Sequence, residues 1–549
     1  MRLFVFILIF ISLTACDQKE EPNNIWSTDD LRLAVDRKDT KADVVYYHLN
    51  NPEDKEALFL IGRMGDEATC QQMASHLKSE KAEIREAVLY GLTNCWTESA
   101  RLALREFPLE KASPSERRYW AQAFGYHAKE EDVPLLIAAF KKQPETELLY
   151  GLMQAIVYSR KNVGELAEMP WESVFALIES DQSMALSLYF VNRLQAIETI
   201  IPYKSAKDIY TAAQSRKNND AQIQALRLLS NYEESRPMFT QMLKGIDSCE
   251  KGEETSLDSL YMRRRLAVLQ FSPKWEDEAW LEAIKDVRAG ACDQAAYLAV
   301  VYSLSRGIEF DYAAYINHSA PSIAFEAYAK IYDKTPQAVQ AQLIKMLTGP
   351  HYYKAWKALN ILAREEAGRA VVMDHVNEIE IDAIKTDAEY RLAIAEIPND
   401  TSQRPSPRII QPEDEIVARL ETSQGIIKIK LHSENVAAVH FRDLIKAGGM
   451  DGMVWHRIIP NFVAQAGQSE SSIANDWHAI RDEWGGQHTV GSVGLATAGR
   501  DTGSAQFFIN VNYNQHLDGR YTVFGVVVEG LENAFAMMEG DMIVKAIIE

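Results

Sequence analysis

"MVWHRIIPNFVAQAGQ", residues 453–468, places an arginine among apolar and aromatic neighbours, a proline inside a strand-like run, and a glutamine where the alternation asks for an inward-pointing side chain. A guanidinium beside Trp455, Ile458, Ile459, Phe462 and Val463 costs free energy to desolvate unless the molecule uses it. The runs that follow, "SVGLATAG" from Ser492, "AQFFINV" from Ala505 and "YTVFGVVVEG" from Tyr521, are equally short and strand-like, punctuated by Gly, Asn and Asp. Upstream, "IVARLETSQGIIKIKLH" from Ile416 alternates around Ser423, Gln424 and Gly425 as a hairpin, and "NVAAVHFRDLIKAGGMDG" from Asn435 reads as an amphipathic helix ending in glycine. "LENAFAMMEG" from Leu531 supplies a second short helix. So many short strands within residues 414–549 predict a closed barrel or a sandwich.

Several chemistries are excluded by what this segment lacks. It has no H-E-x-x-H, and His432, His440, His456, His478, His488 and His516 fall at no tight ligand spacing, so neither a metal nor a cofactor is expected. "GLATAGRD" from Gly494 has Arg500 and Asp501 where a phosphate loop needs Lys and Ser or Thr, and "GQSES" from Gly467 lacks the second glycine of a nucleophile elbow. What remains is the cation Arg457 in apolar company, with no nucleophile. Rotation about an X-Pro bond needs only that: its barrier of about 18–20 kcal/mol comes from amide resonance. A greasy slot holds the proline ring, and a fixed donor at the imide nitrogen favours the twisted amide. A guanidinium suits the task because it stays protonated and presents its donors in one plane.

At these residues the chain resembles the cyclophilin family of peptidyl-prolyl isomerases. "WHRIIPNFVAQAG" followed by "SVGLATAGRDTGSAQFFINVNYNQHLDGRYTVFGVVVEG" follows the family's F-H-R-x-I-P-x-F-x-x-Q-G-G, A-N-A-G with S-Q-F-F-I, and L-D-G-x-x-x-V-F-G-x-V motifs. The resemblance covers residues 414–549 and implies a closed eight-stranded antiparallel barrel with two helices. It implies Arg457 as the catalytic arginine and Gln465 as the residue that orients it. Phe462, Val463, Phe508 and Leu517 correspond to walls of the proline pocket; Ala496 and Thr497 lie where substrate backbone is held, and Gln506 lines the groove. The chain departs from the pattern at Trp455, Ala466 and Thr497, at "NVAAV" in place of a proline-containing helix start, at His516 where many members carry tryptophan, and at Tyr521 where histidine is common in the pocket wall. The His516 change puts cyclosporin sensitivity in question.

The rest of the 549-residue chain reads differently. Residues 40–397 carry apolar helical stretches beginning at Ala57, Ala87, Ala121 and Met153, the spacing of stacked helical hairpins. The stretch resembles degenerate HEAT-type repeats, whose concave face makes a protein or peptide partner a secondary expectation. "IPNDTSQRPSPRIIQPEDE" then breaks the helical pattern, placing a linker at 398–413.

At the start, "LFVFILIFISL" is an apolar run too short to span a bilayer and reads as a signal peptide over residues 1–15. It ends in "LTAC", which resembles the bacterial lipoprotein box. Acylation of Cys16 would anchor the chain to a membrane through a polar tether at 16–39, facing the periplasm; chance apolarity or cleavage without lipid is the alternative. The inner or the outer membrane could hold such an anchor. Cys70, Cys95, Cys249 and Cys292 then permit two disulfides in any of three connectivities, the local pairs being Cys70 with Cys95 and Cys249 with Cys292. A net charge of −20 argues against nucleic acid. The expected function is isomerisation of X-Pro bonds in exported polypeptides; the alternative is a non-catalytic proline-binding module on a helical scaffold.

Overall fold

The computed structural model describes residues 27–36, 41–159, 170–179, 184–195, 201–244, 256–290, 293–392, 415–475, 477–483 and 486–549. The apolar leader, Cys16 and its tether, the expected linker, and Cys249 and Cys292 lie outside the described residues. Among the described residues, everything from Thr28–Asp36 to Asp382–Arg391 is helical, and the strands follow.

Ten helices form one row, each packed against the next: Lys55–Met64, Ala82–Leu92, Pro114–His127, Thr146–Ser159, Met184–Gln195, Asn219–Leu229, Ser256–Phe271, Asp293–Ser305, Pro321–Lys334 and Tyr352–Leu362. The hairpins are punctuated as the sequence requires: Ser113 and Glu116 form a capping box behind Pro114, and the Asp66 and Asn218 side chains accept the Thr69 and Ala221 amides. The repeat also appears as charge. Lys55 pairs with Glu86, Arg85 with Glu116 at 2.7 Å and Arg117 with Glu145 at 2.6 Å, at separations of 31, 31 and 28 residues. Glycine lets the row close up. A Cβ on Gly62 would stand 2.3 Å from the Gly91 carbonyl oxygen, and one on Gly151 would stand 2.4 Å from the Ala121 carbonyl oxygen, so these helices meet backbone to backbone. Cys70 and Cys95 are disulfide-bonded, which ties the second helix of one hairpin to the turn beyond Ala82–Leu92.

The C-terminal strands are β1 (Ile416–Thr422), β2 (Gly425–Leu431), β3 (Val454–Ile459), β4 (Val463–Gln468), β5 (Ser492–Leu495), β6 (Phe507–Asn510), β7 (Val523–Glu529) and β8 (Ile543–Ile548). They make one antiparallel sheet in the order β3-β4-β6-β5-β7-β2-β1-β8, with helices Val436–Lys446 and Leu531–Ala536. The closed barrel expected from the sequence is corrected here to a half-barrel. The edges β3 and β8 share no continuous ladder and meet only over a short stretch, where the bridge Val454↔Met542 is flanked by backbone bonds from Ile543 to the Met453 carbonyl and from Trp455 to the Asp541 carbonyl. Register shifts at Val454/Trp455 and Trp455/Arg457 bend β3 at this point, and among the described residues no backbone bond joins the two edges beyond Trp455. Trp455 on β3 turns into the core against Phe507, which meets Phe441, which in turn meets Phe524. The larger indole at Trp455 is therefore absorbed inside the sheet.

The row of helices grips this sheet domain. Arg63 pairs with Asp482 and Asp501, the Arg500 guanidinium lies 5.0 Å over Trp96, the Tyr126 hydroxyl donates to the Asp518 carbonyl, and Gln154 donates to the Gln515 carbonyl at 3.2 Å. Farther along, Gln224 donates to Asn512, Arg263 to the Val511 carbonyl, and Gln294 to the Phe535 and Met537 carbonyls, while Lys357 pairs with Glu539. The contacts of the row are thus made with the chain's own C-terminal domain along much of its length.

Because the row packs backbone to backbone at Gly151, Gly151→Leu should lower stability by about 1–3 kcal/mol through overpacking, read as a lower midpoint of unfolding by circular dichroism.

Candidate active site

The site begins as a line of residues across four strands. Arg457 on β3 faces Gln465 on β4, Gln465 faces Phe508 on β6, and Phe508 faces Gly494 on β5. A Cβ on Gly494 would stand 2.4 Å from the tip of the Phe508 ring, so only glycine leaves that ring room to lie across β5. β6 divides its two phenylalanines by strand alternation: Phe507 fills the core, while Phe508 packs against His488 and Tyr521.

Arg457 Nη1 donates to Gln465 Oε1 at 3.2 Å, and Gln465 Nε2 donates to Gln506 Oε1 at 3.2 Å. This chain fixes which way the amide points and holds the guanidinium, which is otherwise exposed. Its carbon lies 5.7 Å over the Phe462 ring. The turn between β3 and β4 sets that ring: Asn461 takes a left-handed φ of 52°, and the Phe462 carbonyl accepts from Val511 at 3.0 Å and from the Asn514 side chain at 2.7 Å. Gly467 is kept where the family has glycine because a Cβ would stand 2.3 Å from Gln506 Cγ, whereas Ala466 replaces glycine at a buried core position.

Arg457, Gln465, Gln506 and Phe462 are thus brought into one connected group. Val463, beside Phe462, is buried. His516 stacks on Phe462 at 5.6 Å, with Leu517 next in sequence and half-buried; Tyr521 meets Phe508 edge-on at 5.8 Å. At Ala496 the amide is already committed to the Gln506 carbonyl at 2.9 Å. The backbone N–H and C=O of Thr497 have no backbone partner among the described residues, so of this pair Thr497 is better placed to hold a bound chain. Asn435 caps the helix Val436–Lys446 through the Ala437 amide at 2.9 Å, doing the work of the absent proline.

A family model for the cyclophilin type peptidyl-prolyl cis-trans isomerase matches residues 417–544. Peptidyl-prolyl cis-trans isomerase B of Bacillus subtilis is 36% identical over 129 residues, covering 22% of this chain and 90% of that protein. A peptidyl-prolyl cis-trans isomerase of Helicobacter pylori is 37% identical over 134 residues, covering 23% of this chain and 82% of that protein. The chain belongs to the cyclophilin-type peptidyl-prolyl cis-trans isomerase family. Among solved structures, the cyclophilin AquaCyp293 from Hirschia baltica aligns at 20% identity with a TM-score of 0.22, covering 26% of this chain and 75% of that one.

Sequence reading missed the supports of this cyclophilin site. Asn461, Asn510, Asn512 and Asn514 form a buried amide cluster: Asn512 donates to the Asn461 carbonyl at 2.9 Å, and Asn514 donates to Asn510 at 2.8 Å. His488, fully buried, donates from Nε2 to the Tyr521 carbonyl and accepts from Asn510 at Nδ1, which fixes its tautomer as it stacks on Phe508. The available signal was the density of asparagine in "FINVNYN" beside a histidine that no ligand spacing claimed.

Burial depresses the imidazoles around the site from an ordinary 6.5, His488 to about 4, His456 to about 4 and His516 to about 3. All three are neutral at pH 7. The unfolded chain takes up protons below about pH 6.5 that the folded chain refuses, so stability falls as pH falls from 6.5 toward 4. The expected donor, Arg457, is a guanidinium and needs none of these protons. We expect kcat/KM to stay flat between about pH 6.5 and 8.5, while the melting temperature drops as pH is lowered from 7 to 5.

Proposed function

We propose that the chain is a peptidyl-prolyl cis-trans isomerase acting on proline-containing segments of exported polypeptides, with Arg457 and Gln465 as its catalytic pair. The observation that carries this reading is a guanidinium held by a glutamine chain over an aromatic wall, with no nucleophile or metal ligand in the arrangement. Phe462, Val463, Phe508 and Leu517 bind the pyrrolidine ring; Thr497, with Ala496 and Gln506, holds the flanking backbone; His516 and Tyr521 complete the walls. As the X-Pro bond twists, the imide lone pair localises on nitrogen and accepts from the Arg457 guanidinium, an interaction weaker in either planar form. Such a donor, fixed in advance, lowers a barrier without proton transfer.

The apolar leader ending in Cys16, read as a lipoprotein signal, supports an acylated chain held on a bacterial membrane and facing the periplasm. The Cys70–Cys95 disulfide agrees with that oxidising compartment. The helical part is then a HEAT-like scaffold that holds the isomerase domain away from the lipid.

Arg457→Ala in the full chain should lower kcat/KM on an Ala-Pro peptide by about 10²–10³-fold with little change in melting, because the side chain is exposed. Arg457→Lys should restore little, since a lysine ammonium lacks the planar fork. A wild-type chain that binds the peptide without accelerating isomerisation would instead support a proline-binding module.

A further inference from the structure

The segment from Val511 to Asp518, between β6 and β7, carries His516 and Leu517 of the pocket wall, and successive helices of the N-terminal row hold it. Arg263 donates to the Val511 carbonyl, Gln224 to the Asn512 side chain at 3.0 Å, Gln154 to the Gln515 carbonyl at 3.2 Å, and the Tyr126 hydroxyl to the Asp518 carbonyl. Between Gln154 and Gln224 in the row, Tyr189 reaches His516 itself. Its hydroxyl accepts the His516 backbone N–H at 3.0 Å and lies 2.7 Å from Nδ1.

The polar side chains here are almost fully excluded from water: Gln154, Gln515 and Asp518 are 0% exposed, Gln224 1% and Asn512 2%. Polar groups buried this deeply are costly unless paired, and the bonds from Gln154 to the Gln515 carbonyl and from Gln224 to Asn512 are the pairs that hold the row and the segment in one register, while the Gln515 side chain itself has no partner among the described residues. The aromatic rings continue the connection inward. The Tyr189 ring stacks on His516 at 6.2 Å and 20°, His516 stacks on Phe462 at 5.6 Å and 21°, and the Arg457 guanidinium lies over Phe462 at 5.7 Å. One ring, His516, therefore separates a side chain of the helical row from the ring beneath the guanidinium.

We infer that Tyr189 is a positioning residue for the isomerase site, so that the wall formed by His516 and Phe462 is set by the helical row as well as by the sheet that carries it. The inference rests on the isomerase reading and extends it. Tyr189 touches neither substrate nor Arg457; it acts by holding His516, and His516 holds the Phe462 face. A wall of this kind binds the proline ring equally in planar and twisted forms, so loosening it weakens binding more than it slows rotation.

The experiment compares the full chain with Tyr189→Phe, Tyr189→Ala and Gln294→Ala, measuring kcat and KM separately on an Ala-Pro peptide and checking each fold by thermal melting. Gln294 binds the Phe535 and Met537 carbonyls, outside the wall, and so controls for a general weakening of the contact between the two parts. Tyr189→Phe keeps the ring and removes only the hydroxyl; its KM should rise about three- to tenfold with kcat within about twofold of wild type. Tyr189→Ala should raise KM further, and Gln294→Ala should leave it unchanged. An unchanged KM in a folded Tyr189→Phe chain overturns the inference while the isomerase reading stands, and so does an equal rise in Gln294→Ala. A wild-type chain without acceleration overturns both. If Tyr189→Ala does not fold, the isosteric Tyr189→Phe decides alone.

Discussion

A permanent positive charge held over an aromatic face is the interaction on which the site depends. Arg457 leans on Gln465, Gln465 on Gln506, and the guanidinium covers the Phe462 ring. Each support comes from a different strand or turn, so the donor can be aimed only when the sheet is in register. Gly494, Gly467 and the left-handed Asn461 are local consequences: two glycines admit Phe508 and Gln506 at distances that no Cβ permits, and one tight turn presents Phe462. On the proposed reading, the energetic logic is that of a preorganised dipole, paid for in folding and available at the moment the amide loses resonance.

Much of the C-terminal domain was legible because its physics is local. Alternation gave the β1–β2 hairpin, a glycine-terminated apolar face gave the helix Val436–Lys446, and an arginine out of place in "VWHRII" pointed to the candidate site. The helical character of the N-terminal part was equally readable. The missing closure of the sheet was not, since it depends on two register shifts in β3 that hydrophobic pattern does not encode.

Least legible was the embrace of one part by the other. It is made by single polar residues, Tyr126, Gln154, Tyr189 and Gln224, each roughly one repeat from the next, set among Ala and Leu that look like ordinary helix core. A lone glutamine or tyrosine on a helix face carries no sign of whether water or a carbonyl awaits it. Only the fold shows that these residues meet one short segment, and that the segment stacks His516 on Phe462. The glycines at Gly62, Gly91, Gly125 and Gly151 let neighbouring helices of the row close up backbone to backbone.

Exchange NMR on an Ala-Pro peptide with a catalytic amount of the full-length chain tests the central claim most directly. Cross-peaks linking the cis and trans proline signals should appear within seconds or less, far faster than the uncatalysed exchange of about 10–100 s. Peptide resonances that broaden or shift on binding while the two isomers remain unlinked would contradict it.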